Sequence, residues 1–210
     1  KPAIPYLYNH CHLRIFSMET RLNQFKSNCI KVALFGPEST GKTTLAQALA
    51  KHYDTTWVPE FARTYLEEKW HKSHEICAPE DILPIAIGQL KLENEAVKRA
   101  NKIIFCDTTL LSTQVYSEAY FDGWCNKKVV QANKENRYDL YFLTDIDVPW
   151  EKDLLRDRPN QREEMFEKFA AALTKRNLTY ALLSGSHEQR MKCAIEKLNK
   201  LYETHIYAKG

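Results

Sequence analysis

The sequence predicts a three-layer α/β/α domain built on a five-stranded parallel sheet, and three observations lead to this prediction. Short apolar runs alternate with longer amphipathic segments along the chain, which is the pattern of repeated β-α-β units. These runs are apolar throughout, as expected for strands covered on both faces. The chain has 210 residues, of which 44% are hydrophobic, so it can bury one substantial core.

The predicted elements follow in order from residue 29. Five runs predict strands, over 29–36, 55–58, 103–107, 140–143 and 180–183. Helices are predicted over 43–52, 60–69, 79–100, 110–121, 150–176 and 187–204. Pro79 followed by two acidic residues is typical of a helix start. We therefore predict one folded domain over residues 29–204.

The two ends of the chain are expected to lie outside this domain. We interpret residues 1–17 as a leader, 18–28 as a polar and partly disordered lead-in, and 205–210 as a tail. The first 31 residues carry five Lys and Arg against one Glu, whereas the whole chain has a net charge of +3. The predicted domain is therefore close to neutral. Because a nucleic-acid-binding domain usually carries its own basic excess, no nucleic-acid partner is predicted.

Two further classes of protein are excluded by composition. No apolar run approaches the roughly 18 residues that a membrane-spanning helix needs, so no membrane partner is expected. The six cysteines are scattered without a C-x-x-C pair, which argues against a disulfide framework and favours a reduced, cytoplasmic setting. The sequence leaves open whether the chain forms a homo-oligomer.

A phosphate-binding loop is the strongest motif in the chain. The segment matches G-x-x-x-x-G-K-[ST] between a predicted strand and a predicted helix, and it reads Gly36-Pro37-Glu38-Ser39-Thr40-Gly41-Lys42-Thr43. In such loops the glycines let successive backbone N–H groups face an anion, and the start of the helix adds its positive end. We predict that Lys42 contacts the β- and γ-phosphates and that the Thr43 hydroxyl faces Mg²⁺.

Asp107 ends the third predicted strand. Ligands of open α/β sheets bind at the carboxyl ends of the strands, so a carboxylate there would lie beside the phosphate loop. Asp107 is therefore predicted to hold Mg²⁺. The alternative is that it caps the helix over 110–121.

Two classes of phosphate-loop protein are disfavoured. A GTPase would need an N/T-K-x-D motif and a D-x-x-G switch. Asn101-Lys102 is followed by two isoleucines, and Asp107 by Thr108-Thr109-Leu110, so neither motif is present. An AAA-type motor would usually carry a further helical domain, for which we see no room.

A small-molecule kinase needs a carboxylate at the acceptor hydroxyl and an arginine-rich lid. Glu60 follows the second strand and is the candidate carboxylate; alternatively, it is an acid that favours the helix dipole. Three arginines follow the fourth strand and could stabilise the transferring phosphoryl group: Arg156, Arg158 and Arg162. Alternatively, they form a solvated face that pairs with Asp157, Glu163 and Glu164.

Taken together, five segments resemble the ribosylnicotinamide kinase domain of NadR-type proteins over roughly residues 29–204. They read GPESTGKTTLA (36–46), PEFART (59–64), CDTTLLSTQVY (106–116), VPWEKDLLRDRPNQREEMF (148–166) and YALLSGSHEQR (180–190). The resemblance implies an ATP- and Mg²⁺-dependent enzyme that phosphorylates the 5′-hydroxyl of nicotinamide riboside to give nicotinamide mononucleotide. It implies a small-molecule substrate and a nucleoside-kinase-like form of the P-loop NTPase fold.

The resemblance also implies roles for individual residues. Gly36 to Thr44 would bind the phosphates of ATP, Asp107 would serve the metal or the hydroxyl, and the three arginines would belong to the lid. Substrate contacts are expected from Glu60, Arg63, Asp107 and Trp150. Thr109 stands where the family often has an acid, and Leu154 where it often has Gly. The family's adenylyltransferase half, with its H-x-G-H motif, is absent, so no synthesis of NAD from the mononucleotide is expected.

The leading hypothesis is thus a nicotinamide riboside kinase in which either Glu60 or Asp107 accepts the hydroxyl proton. An aromatic wall beside the pyridinium ring would be favourable through cation–π contact, and five aromatics are candidates: Trp57, Phe61, Tyr65, Trp124 and Trp150. For each of them singly, ordinary core packing is the favoured alternative. Two alternatives stay open. One is a kinase for another nucleoside or small metabolite, and the other is a regulatory or assembly ATPase without a small-molecule acceptor.

Overall fold

A parallel five-stranded sheet forms the middle layer of the computed structural model, which describes residues 22–151, 153 and 159–207. The strands are β1 (Ile30–Phe35), β2 (Trp57–Val58), β3 (Ile103–Asp107), β4 (Leu140–Thr144) and β5 (Tyr180–Leu183). Their order in the sheet is β2-β3-β1-β4-β5, and every pairing is parallel. The predicted α/β class and the five parallel strands are confirmed.

Seven helices connect the strands within the described part of the chain. They are α1 (Lys42–His52), α2 (Phe61–Ser73), α3 (Ile82–Val97), α4 (Leu110–Tyr120), α5 (Lys127–Glu135), α6 (Arg162–Thr174) and α7 (His187–Tyr207). None of the described helices is both long and apolar enough to cross a membrane.

The central strand β1 shows how the three layers are built. Successive side chains of a strand point to opposite faces. Val32 and Leu34 join the apolar cluster that α1 and α7 complete on one face, whereas Ala33 and Phe35 join the cluster formed with α4 and α6 on the other. All of β1 is buried. Because the neighbouring strands are parallel to it, the carboxyl ends of β1, β3 and β4 meet at one edge.

Several element boundaries differ from the prediction. Helix α5 was not predicted, because only Val129 and Ala132 of its nine residues are buried and the apolar signal is weak. A single 3-10 turn occupies Pro79–Asp81, so α3 begins at Ile82. The predicted helix over 150–176 is wrong at its start, since α6 begins only at Arg162.

The lead-in also differs from the expectation, because its described part belongs to the fold. Leu22 is only 6% exposed and packs into a cluster with α3 and α5. The Gln24 side chain donates to Glu93 Oε1 at 2.8 Å, and the Phe25 N–H donates to Asn94 Oδ1 at 2.8 Å. These bonds fix the segment against α3. At the other end of the chain, α7 continues to Tyr207, into the predicted tail.

Candidate active site

The phosphate loop occupies the turn between β1 and α1, at the carboxyl edge of the sheet. Its shape depends on left-handed or otherwise positive φ angles at Gly36 (φ 139°), Ser39 (φ 55°) and Gly41 (φ 78°). Gly36 also lies close to β4, since a Cβ there would come within 2.6 Å of Thr144 Oγ1. A residue with a side chain would be strained at Gly36 and would collide as well. The backbone path of the loop therefore requires this glycine.

Polar groups inside the loop hold it in place. Thr40 Oγ1 donates to the Pro37 carbonyl at 2.8 Å and lies 2.7 Å from Thr144 Oγ1. Lys42 is only 8% exposed, and its ammonium donates to the Pro37 carbonyl at 2.5 Å. The ammonium thus lies within the curve of the loop, where it can contact an anion that the backbone N–H groups bind.

Thr43 and Asp107 meet between α1 and β3. The Thr43 hydroxyl donates to Asp107 Oδ2 at 2.5 Å, whereas Asp107 Oδ1 is buried without a hydrogen-bond partner among the described residues. Burial raises the pKa of Asp107, and the charge of Lys42 and the Thr43 hydrogen bond oppose that shift. A hydroxyl beside an unsatisfied carboxylate oxygen is a donor set that suits Mg²⁺. The alternative cap role belongs to Thr109, whose side chain accepts from the Ser112 N–H.

A cavity of about 280 Å³ opens beside the loop, between α2, α3 and α4. Its charged lining residues are Glu38, Glu60, Arg63 and Glu75. Much of the remaining described lining is apolar or aromatic and includes Leu66, Trp70, Ile82, Ile85, Tyr116, Tyr120 and Phe121. A largely apolar cavity with a small number of polar groups is typical of a small-molecule site.

Glu60 stands between the cavity and the phosphate loop. Burial and the negative charge of Asp107 raise the pKa of its carboxyl, whereas Lys42 and Arg63 lower it. Asp107 itself is not part of the described cavity lining. The structure therefore brings the two predicted carboxylates close enough to interact, but only Glu60 faces the cavity.

Two contacts connect the segment after β4 to the cavity and the phosphate loop, and each involves a predicted residue. The Arg63 guanidinium lies 3.1 Å from Asp153 Oδ2 and 3.3 Å from Glu67 Oε1. Trp150 Nε1 donates to Glu38 Oε1 at 3.3 Å. Both pairs join the rim of the cavity to the start of the predicted lid.

Arg162 is the one lid arginine among the described residues. Its guanidinium donates to the carbonyl of Val148 at 2.9 Å and to that of Ser39 at 3.3 Å. It therefore contacts the backbone of the phosphate loop. Arg156 and Arg158 lie outside the described residues, as does Leu154.

The five aromatic candidates lie outside the described cavity wall, and the alternative of ordinary packing holds for Trp57 and Phe61. None of the five candidates is in the described lining, which instead contains Trp70, Tyr116, Tyr120 and Phe121. Trp57 packs against the cluster under α1 and α7, Tyr65 donates to Asp81, and Trp124 is 42% exposed. Phe61 packs against Gly88 of α3, and Trp150 lies at the rim.

Arg190 of α7 is a residue that the sequence analysis missed. It is 3% exposed, and its guanidinium donates to the carbonyls of Thr40 at 2.6 Å, Gly185 at 3.0 Å and Asp145 at 3.1 Å. It also forms an ion pair with Asp147. Arg190 thus ties the phosphate loop to the loops after β4 and β5. It ends the family-like segment over 180–190, but that segment gave it no role, because its partners lie on three separate loops.

The fold and the site together define the class of the protein. A parallel sheet with a phosphate loop after its central strand, a carboxylate at the end of the neighbouring strand and a small-molecule cavity beside both is the arrangement of P-loop nucleotide-binding proteins, among them the small-molecule kinases. A family model described as an AAA domain matches residues 31–190, and the chain belongs to this family. The description names a type of domain and no substrate.

Individual proteins agree with this class. The chain is 35% identical over 125 residues to the "Trifunctional NAD biosynthesis/regulator protein NadR" of Salmonella typhimurium (strain LT2), a match that covers 60% of the chain but 30% of that relative. A structure of NadR in complex with NR superimposes with a TM-score of 0.68 at 23% identity, covering 82% of this chain and 50% of that one.

A thymidylate kinase from Ehrlichia chaffeensis superimposes with a TM-score of 0.58 at 16% identity, covering 81% of this chain and 98% of that one. The resemblance to the NadR kinase region is therefore confirmed, and the nucleoside- and nucleotide-kinase fold with it. The chain spans about a third of the length of the curated relative it matches.

Proposed function

We propose that this protein transfers the γ-phosphoryl group of ATP to the 5′-hydroxyl of nicotinamide riboside. The observation that carries the proposal is the position of Glu60, whose carboxyl lines the cavity and interacts with Lys42 and Asp107 at the phosphate loop. An acceptor in the cavity and a triphosphate on the loop would meet at this residue. The similarity to NadR supports the choice of nicotinamide riboside.

At the phosphate end, the backbone N–H groups of residues 36–43 and the Lys42 ammonium would bind the β- and γ-phosphates. Thr43 and Asp107 would hold Mg²⁺, which when bound neutralises charge on the triphosphate. Arg162 holds the loop backbone at Ser39. The roles of Arg156 and Arg158 in the lid stay predictions from the sequence.

We assign the proton-accepting role to Glu60 rather than to Asp107. Asp107 is 1% exposed and accepts a hydrogen bond from Thr43, an arrangement suited to a metal. Glu60 faces the acceptor cavity. Burial in its partly apolar surroundings raises the pKa of Glu60, which brings a carboxylate closer to the range in which it accepts protons efficiently.

The charge of the cavity favours a cationic acceptor. Three acidic residues line it, Glu38, Glu60 and Glu75, against Arg63 as the one described basic residue of the lining. Aromatic rings supply faces on which a pyridinium ring can bind by cation–π contact. A nucleoside with a positively charged base would therefore bind better than a neutral one of the same shape.

An acceptor panel tests this proposal. Purified protein is incubated with ATP, Mg²⁺ and nicotinamide riboside, reduced nicotinamide riboside, uridine or adenosine, and the phosphorylated product is quantified. Reduced nicotinamide riboside is the matched control, because it keeps the shape and loses the ring charge. We expect nicotinamide riboside to give the highest kcat/KM. Preferential phosphorylation of a neutral nucleoside would contradict the proposed substrate, but it would still support a kinase activity.

A further inference from the structure

The amide of Gln89 on α3 clamps the backbone on both sides of Glu60. Gln89 is 3% exposed. Its Oε1 accepts from the Phe61 N–H at 2.8 Å, and its Nε2 donates to the Pro59 carbonyl at 3.2 Å. One buried side chain thus binds the residues immediately before and after Glu60.

The clamp holds the first turn of α2 from outside the helix. The first N–H groups of a helix have no partner within the helix and need one from elsewhere. Gln89 supplies that partner for Phe61, the first residue of α2. Glu60 is the N-cap residue, but its side chain makes no capping hydrogen bond and lines the cavity instead.

Gly88, the preceding residue of α3, completes the support. A Cβ at Gly88 would lie 2.1 Å from the Phe61 ring, so the ring packs directly on the helix backbone at this point. α3 therefore fixes the turn through two independent contacts, one polar and one steric.

We propose that Gln89 is a positioning residue for phosphoryl transfer, which holds the Pro59–Phe61 turn and thereby keeps the Glu60 carboxyl at the meeting point of cavity and phosphate loop. The proposal rests on the proposed function, in which Glu60 accepts the proton. Displacement of a reacting group by about 1 Å can lower a rate roughly 100-fold. The effect of losing the clamp should thus appear in kcat rather than in the binding of either substrate.

The same helix offers a matched control. Asn94 is 9% exposed; its Oδ1 accepts from the Phe25 N–H at 2.8 Å, and its Nδ2 donates to the Asn23 carbonyl at 3.0 Å. Asn94 is therefore a second amide clamp on α3, but it holds the lead-in segment and is not part of the described cavity lining. Gln89→Leu and Asn94→Leu each remove two buried hydrogen bonds to backbone groups in different places. Gln89 in addition lines the cavity and accepts from the Thr108 hydroxyl at 3.5 Å, so the KM for the acceptor is measured beside kcat.

The experiment compares these two variants with the wild type by steady-state kinetics across pH and by amide hydrogen exchange. For Gln89→Leu we expect kcat to fall about 10- to 100-fold, with the KM values for ATP and acceptor changed by less than about threefold. The acid limb of the kcat profile should move to lower pH, because a released Glu60 is better solvated. Asn94→Leu should lose stability without changing kcat or the acid limb.

Amide exchange gives a readout that does not depend on turnover. The Phe61 N–H should lose protection in Gln89→Leu and keep it in Asn94→Leu. If the wild type phosphorylates no riboside, the proposed function fails, whereas the protection of Phe61 still tests the clamp, and the kinetics can use whichever acceptor is turned over.

Three results would overturn the proposal: unchanged kcat in Gln89→Leu, a rise in acceptor KM alone, or an equal loss of kcat in both variants without a pH shift. The rise in KM alone would mean that Gln89 contacts the acceptor. If Gln89→Leu does not fold, Gly88→Ala tests the same support, since it displaces the Phe61 ring and keeps the amide. Gly88→Ala should then lower kcat with both KM values retained, and unchanged kcat would overturn the proposal.

Discussion

The phosphate loop and the acceptor cavity meet at Glu60 but are built in different ways. The loop is one continuous stretch whose shape comes from its backbone, as the positive φ angles at Gly36 and Gly41 show. The cavity is assembled mainly from the side chains of three separate helices, with further residues from the loops beside them. The difference implies that changes in the loop affect transfer to every acceptor, whereas changes in the cavity affect the choice of acceptor.

The two regions also differ in charge. The loop contains Lys42 and the amino end of α1, which favours anions. The cavity is lined by Glu60 and Glu75, and by Glu38 where the phosphate loop borders it. The opposed charges separate a polyanionic donor from a cationic acceptor and leave Glu60 at the boundary, where both regions influence its pKa.

The largest effect is expected from Glu60→Gln, at that boundary. Loss of the proton acceptor should lower kcat by about 10²- to 10⁴-fold, with little change in the KM for ATP. Glu68→Gln, on an exposed position of the same helix, is the matched control and should keep full activity. Equal activity of the two variants would show that Glu60 is not the base.

The same variant should be more stable than the wild type at neutral pH. Folding raises the pKa of Glu60. At a pH above the ordinary pKa of a carboxyl group, the ionised Glu60 therefore lowers the free energy of unfolding. The gain should disappear at acid pH, where the group is protonated in both the folded and unfolded states. The gain is measured as the difference in melting temperature between variant and wild type at several pH values. A difference that grew as the pH fell would contradict a raised pKa of Glu60.

Lys42→Ala is expected to lower kcat by about 10²- to 10³-fold with every acceptor, because a charge-bearing donor to the transferring group is lost. Lys51→Ala, on an exposed position of α1, should behave as the wild type. Comparison across the acceptor panel separates the two regions. A Lys42 variant with a changed preference among acceptors would contradict the claim that the loop affects transfer to all acceptors equally.

Trp70→Ala should weaken the binding of the acceptor without affecting the binding of ATP. Removal of this ring from the cavity wall should raise the acceptor KM about tenfold, corresponding to about 1.4 kcal/mol of lost apolar contact, while the KM for ATP stays the same. Trp124→Ala is the control, since Trp124 is 42% exposed and outside the described lining. A parallel rise in the KM for ATP would indicate that the cavity wall also shapes the loop.

The smallest effect on catalysis is expected from Asp81→Asn, behind the cavity. Asp81 Oδ2 accepts from Lys69 at 2.6 Å and from the Ala78 N–H at 2.8 Å, and Tyr65 donates to Oδ1 at 3.0 Å. We expect unchanged kcat and a loss of about 1–3 kcal/mol in the free energy of unfolding. Glu95→Gln, in an exposed ion pair with Lys98, should change stability little.

The Asp81 effect should depend on pH in a defined direction. Burial alone would raise the pKa of Asp81, but the hydrogen bonds from Lys69, Ala78 and Tyr65 hold it below the usual value. Its contribution is therefore present above the ordinary carboxyl range and is lost as the pH falls through the lowered pKa. Urea unfolding of wild type and variant should converge in acid, and a difference that persisted there would contradict this origin.

The phosphate loop could be predicted from the sequence and the cavity wall could not, because the two regions are built differently. The loop could be predicted because its residues are adjacent in the chain and glycine positions are set by backbone geometry. Asp107 was predictable because it ends a buried strand. The cavity wall was not, since Ala62, Leu66 and Trp70 recur every four residues and so resemble an ordinary core-facing stripe of α2. Only the arrangement of α2, α3 and α4 around the cavity makes that stripe a wall.

The supporting residues were hidden for a related reason. Gln89 and Arg190 act through backbone groups of distant loops, and a sequence does not show which carbonyls a side chain will reach. The role of the lead-in was missed because it contacts α3 through one isolated apolar side chain, Leu22, and through single hydrogen bonds. Periodicity detects apolar faces and does not detect such bonds.

The central claim is that the phosphoryl group passes from the loop to an acceptor in the cavity, and the fate of that group tests it most directly. ³¹P NMR can follow ATP consumption by the purified protein with Mg²⁺, with and without nicotinamide riboside. We predict that ADP and nicotinamide mononucleotide form in equal amounts and that little ATP is consumed when the riboside is omitted. ADP and inorganic phosphate forming at the same rate with or without the riboside would contradict the claim and indicate an ATPase.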